Sequence, residues 1–144
     1  MFLDTPTAEH LGNIISHVAA PAFLLAAVAS YTLLLISRMN HIIVRSRALN
    51  AISEDDTTRA HLRADVPRLM RRAALLNNAV LYSTICALVT TLMIIVAFGM
   101  AFIQARHEYG VAVLFIVSLT FLMLSLVNLA RETRIALHEL EFQG

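Results

Sequence analysis

Eleven arginines, ten carboxylates and six histidines carry the chemistry available to this 144-residue chain, and lysine is absent. Near one end of the apolar segments stand Asp4, Glu9, His10 and His17, joined by His107 and Glu108 from a short turn. His10 and His17 are seven apart and share a helix face. Imidazole and carboxylate groups can hold a divalent ion, which makes His10, His17, His107 and Glu108 the candidate ligands. Their spacing matches no established ligand motif, and scattered histidines at an interface are ordinarily solvated, so no metal is expected. Ser16 and His17 are neighbours in sequence, about 100° apart on a helix, and so form no nucleophile–base dyad. Haem held between segments would need a partner for His17 or His41, and the later apolar segments offer no histidine. Phosphate-binding glycine loop, two-histidine zinc helix and serine elbow are all missing. The expectation is a protein without catalytic activity or cofactor.

A second set of residues concerns charge at depth. Arg38 and Glu132 stand at the same-side ends of the first and third apolar segments. Together they form a candidate ion pair, because a lone ionised group at that depth is costly. The alternative is that both snorkel to headgroups and water. Arg71 and Arg72 compete for the same carboxylate.

Projected at 100° per residue, Asn13, Ser16, His17, Ala20, Ala27, Tyr31, Arg38, His41 and Arg45 fall on one side of the first segment. Ala22, Ala26 and Ala29 fall on the other. Small residues let helices approach closely in lipid, and polar residues either pair across helices or line water. Asn13, His17, Tyr31, Arg38 and Arg45 are therefore the candidate interface or pore face. Three helices pack without a central hole, so a pore needs several subunits.

The elements that must position these residues are membrane spans. Composition is 58 % hydrophobic and 15 % charged, against about 45–50 % and 25 % in soluble domains. Leu11–Ser37, Ala73–Ala105 and Tyr109–Ala130 contain no Asp, Glu, Lys or Arg. About 20 such residues cross ~30 Å of hydrocarbon. The predicted fold is all-α: an integral membrane bundle of three transmembrane helices, spans about 13–37, 74–103 and 110–130, in a single domain 1–144. Ten of the eleven arginines lie in the linker 38–72 and the tail 131–144, and only Arg106 lies on the other side. The positive-inside rule then puts linker and tail in the cytoplasm and the N-terminus outside. The expected location is a bacterial inner membrane. A net charge of +1 argues against a nucleic-acid partner.

The linker has two break signals, Ser53 with Asp56, and Asp65-Val66-Pro67. It is expected to form a cytoplasmic helical hairpin extension between spans 1 and 2. Polar residues recur every seven positions in span 2 (Asn77, Thr84, Thr91) and in span 3 (Ser118, Ser125, then Glu132, with Asn128 beside them). That is the period of left-handed helix packing, and it marks these as candidate packing stripes.

Pro21-Ala22 with the run Phe23–Tyr31, then Arg38 and Arg45-Ser46-Arg47-Ala48-Leu49, resembles the first helix of the bacterial "domain of unknown function 2721" family. Leu124-Ser125-Leu126, Glu132-Thr133-Arg134-Ile135-Ala136-Leu137 and Glu139-Leu140 resemble its closing segment. The resemblance implies a three-span membrane protein with a charged linker after span 1, and it implies no activity. The functional expectation is a small non-enzymatic membrane protein that self-associates through helix 1. The alternative is a homo-oligomeric channel lined by that helix's polar face. Expected partners are copies of the chain and membrane lipids, with anionic headgroups at the cytoplasmic arginines.

Overall fold

Between Gly12 and Gly99 the chain has no glycine, and Pro21 and Pro67 are the only prolines there, so long helices meet few breakers. The computed structural model describes residues 8–53, 55–57, 59–103 and 108–141. Three helices account for most of them: α1 (Ala8–Asn50), α2 (Val66–Ile103) and α3 (Glu108–Glu141). With 43 residues, α1 is about 65 Å long, roughly twice the hydrocarbon thickness. It runs on past Arg38 because nothing between there and Asn50 stops it.

Residues 38–72 comprise the end of α1, a run of turns, a short 3₁₀ helix (Ala60–Asp65) and the start of α2. Ser53 Oγ accepts the Asp55 N–H at 3.4 Å, and the Arg59 N–H donates to the Asp56 carbonyl at 3.1 Å. Pro67 lies in the first turn of α2, where a missing N–H costs no helical bond.

All three helices are long and apolar enough to cross a membrane. Their outer surfaces say the same: Phe23 is 77 % exposed and Phe102 83 %, with Leu33, Leu88, Ile95 and Met123 similarly bare. A water-soluble domain avoids a continuous apolar exterior of this kind. Lipid is the solvent that suits it.

Packing inside the bundle follows a heptad. Pro21, Val28, Leu35 and Ile42 are the buried row of α1. Ser118, Ser125 and Glu132 form that of α3. On α2 the buried positions alternate by three and four, from Leu76 through Ala79, Ser83, Cys86 and Thr90 to Met93, because α2 packs against both neighbours. Leu35, Ile42, Leu69, Leu76 and Ala79 make the apolar core, with Tyr31, Met39 and Leu129 against it. This core lies in the arginine-rich half. At the opposite end the helices part around a crevice of ≈ 760 Å³.

The α2 stripe differs from its expected phase. Asn77, Thr84 and Thr91 are exposed, and the buried row is shifted back by one residue to Leu76, Ser83 and Thr90. A seven-residue spacing sets the period of a face but not which face packs. Thr84 and Thr91 satisfy their hydroxyls locally, on the carbonyls of Val80 and Ala87 at 2.8 Å each, and need no partner helix. Asn128 likewise donates to its own helix, at Leu124 O.

Candidate functional site

Glu132 ends the buried row of α3 and is 0 % exposed. Arg72 reaches it from α2, with Nε at 3.0 Å and Nη2 at 2.8 Å from Oε1. Arg38 approaches from α1, its Nη2 3.0 Å from Oε2. That contact is an ion pair without an aligned N–H, so Oε2 is buried with no hydrogen bond. The other arm of Arg38 donates to Thr133 Oγ1 at 3.3 Å. The arginine side chains are 33 % (Arg38) and 13 % (Arg72) exposed. One carboxylate therefore ties all three helices together. Burying it without a cation would be prohibitive, and two arginines offset that cost.

The cluster opens into a pocket of ≈ 230 Å³ walled by Arg38, His41, Arg45, Arg72 and Glu132, with Ile42 and Leu69 as its apolar side. Among the described residues, three guanidiniums face one carboxylate. The pocket thus carries excess positive charge at the end of the apolar spans. Arg45 has no partner among the described residues, which leaves its planar fork of donors available to an oxyanion.

Deeper in the bundle, hydroxyls join the helices. Tyr31 Oη lies 3.1 Å from Ser125 Oγ, which itself donates to the Ala79 carbonyl at 2.6 Å. Thr32 donates to Ser83 at 3.0 Å. Ser118 meets the thiol of Cys86 at 3.3 Å and closes on Thr90. Hydroxyl pairs of this kind hold helices together where lipid gives apolar side chains no reason to associate.

The residues of the predicted interface or pore face part company. Tyr31 and Arg38 are half-buried and turn to Ser125 and Glu132 of the same chain. Asn13 and His17 are exposed and line the crevice at the far end, and Arg45 lines the arginine pocket. Among the described residues, no three His, Cys, Asp or Glu side chains converge. His10 and His17 flank the crevice. Asp4, His107 and the side chain of Glu108 lie outside the described residues.

A family model described as a protein of unknown function, DUF2721, matches residues 18–142. The chain belongs to this family. No curated protein and no solved structure matches it. The family match begins one residue after His17 and so takes in the arginine pocket and the hydroxyl pairs, but not His10, Asn13 or His17.

Sequence reasoning missed Ser83, Cys86 and Thr90 as the packed row of α2. A usable signal was there. Leu69, Leu76, Ser83 and Thr90 are also seven apart, and Cys86 lies three past Ser83, the spacing a central helix needs to touch two neighbours. Between Arg71 and Arg72, periodicity along the same row could have favoured Arg72, four before Leu76 and three after Leu69.

Proposed function

We propose that this chain is a non-catalytic protein of the bacterial inner membrane that holds an anionic phospholipid headgroup at its arginine pocket. In this reading its N-terminus is outside, and linker 38–72 and the C-terminal tail are cytoplasmic, which the arginine distribution supports. The observation that carries the reading is the surplus of guanidinium over carboxylate among the described residues of a pocket at the end of the spans. Phosphate would bridge Arg38 and Arg45. A headgroup hydroxyl would supply the donor that Glu132 Oε2 lacks. Phosphatidylglycerol has both groups and a negative charge.

In phosphatidylcholine vesicles doped with phosphatidylglycerol, the protein is expected to gain thermal stability over phosphatidylcholine alone, as any ligand of the folded state confers. Arg45→Gln should weaken phosphatidylglycerol binding about fivefold, since a basic residue at a membrane surface contributes about 1 kcal/mol. Stability in pure phosphatidylcholine should not change, because Arg45 has no partner among the described residues. Equal stabilisation by both lipids, or undiminished binding by the variant, would refute the proposal.

Self-association through α1 is a second reading, supported by one surface. Ala22, Ala26 and Ser30 are exposed and four apart, a small-residue face that permits close helix approach. Sedimentation in detergent should show a dimer that Ala26→Ile converts to monomer; a monomer from the start contradicts it. The channel alternative has less support, because Tyr31 and Arg38 have their polar atoms on partners within one chain.

A further inference from the structure

The crevice at the end remote from the arginine pocket differs from that pocket in chemistry. Its ≈ 760 Å³ falls within the roughly 300–1,000 Å³ of small-molecule sites. Pro21 of α1, Met93 and Ala97 of α2 and Phe115 of α3 give it apolar walls, while His10, Asn13 and His17 follow one side. Among the described residues, no acidic side chain and no arginine lines it. These described walls suit an occupant with an uncharged head and an apolar body. Water would leave Met93 and Phe115 wetted between membrane-spanning helices.

The polar side presents acceptors. His17 Nδ1 lies 2.8 Å from the Asn13 carbonyl, which can only accept, so Nδ1 carries the proton. A ring with its one proton on Nδ1 has Nε2 as an acceptor. Four residues on, Pro21 has no N–H to close the helical bond to the His17 carbonyl. His17, a residue of the crevice wall, thus offers two acceptors. A hydroxyl is the neutral group that answers them.

We propose that this crevice binds a neutral membrane amphiphile, its hydrocarbon tail between the three helices and its hydroxyl donating to His17. A diacylglycerol and a prenylated hydroquinone both have that chemistry. The site is separate from the arginine pocket and does not depend on it.

The test uses the full chain in nanodiscs, with saturation binding measured for a diacylglycerol, a prenylated hydroquinone and the dimethyl ether of that hydroquinone. Saturable binding of one copy per chain is expected for at least one of the two hydroxyl compounds, and which one identifies the source. For the hydroquinone, the ether should bind about tenfold more weakly, the scale of one hydrogen bond. For either ligand, His17→Leu should cost a similar factor. Ala97→Phe, which fills the crevice, should abolish binding. Leu88→Phe on the lipid-facing side of α2 and Arg45→Gln should leave it unchanged. Non-saturable partitioning of both hydroxyl compounds would overturn the proposal. So would binding by the folded Ala97→Phe protein equal to that of the unmodified one. On the unmodified protein alone, equal affinity for hydroquinone and ether would remove the hydroxyl contact.

Discussion

Replacing Glu132 with leucine is expected to destabilise the bundle by about 3–5 kcal/mol, the usual cost of removing one member of a buried charge cluster. The loss lies less in the contacts removed than in the guanidiniums left behind. Arg72 is only 13 % exposed and cannot easily reach water, whereas Arg38 at 33 % can. Arg72→Met should therefore cost more than Arg38→Met, because it deprives Oε1 of both its hydrogen bonds. The triple variant Arg38→Met, Arg72→Met, Glu132→Leu should recover much of the lost stability, since apolar replacements of a whole cluster are often neutral. It should also lose the preference for phosphatidylglycerol. Reversible unfolding in mixed micelles measures the first effect, and vesicle binding the second. A Glu132→Leu protein as stable as the parent would mean that the cluster is not buried in the membrane-embedded fold.

The second large effect is expected at Ser125, which sits fully buried where α3 meets α2. Ser125→Ala removes a donor to Ala79 O and an acceptor for Tyr31. Interhelical hydrogen bonds in bilayers average about 0.6 kcal/mol, so the alanine variant should lose about 1 kcal/mol. Ser125→Leu loses the same bonds and also forces added volume into a packed seam, at roughly 1–3 kcal/mol more. Steric cost thus outweighs hydrogen bonding here, and the leucine variant should lose about 2–4 kcal/mol in all. The same unfolding measurement separates the two. Equal losses for alanine and leucine would mean that the α2–α3 seam is loose at this level.

Much of the fold is legible in the sequence because lipid imposes a coarse rule. Uncharged runs such as Ala73–Ala105 have one stable form in hydrocarbon, a helix, whatever their neighbours do. The helix phase is less legible. On α3 a polar row, Ser118 to Glu132, meets an equally polar partner and betrays its face. On α2 the exposed Thr84 and Thr91 look as suited to packing as Ser83 and Thr90, because a threonine bonded to its own helix is tolerated in lipid. The site divides similarly. Arg38 and Glu132 are conspicuous as charges at the ends of apolar runs. Their convergence with Arg72 and Arg45 around one pocket depends on the rotation of α1 against α2, which long apolar faces do not encode. The far crevice was not legible at all. It arises where three helices diverge, a property of their mutual angles and not of any single segment.

Whether lipid phosphate occupies the arginine pocket is decided by a distance. With ¹³C at arginine Cζ, solid-state NMR dephasing by ³¹P in phosphatidylglycerol bilayers reports arginine–phosphate proximity. A charge-assisted N–H···O contact of about 2.7–2.9 Å places Cζ about 4–5 Å from phosphorus. Dephasing is expected at that distance, much of it lost in Arg45→Gln, and little in phosphatidylcholine. Arginine signals that show no dephasing in phosphatidylglycerol, or the same dephasing in both lipids, would contradict it.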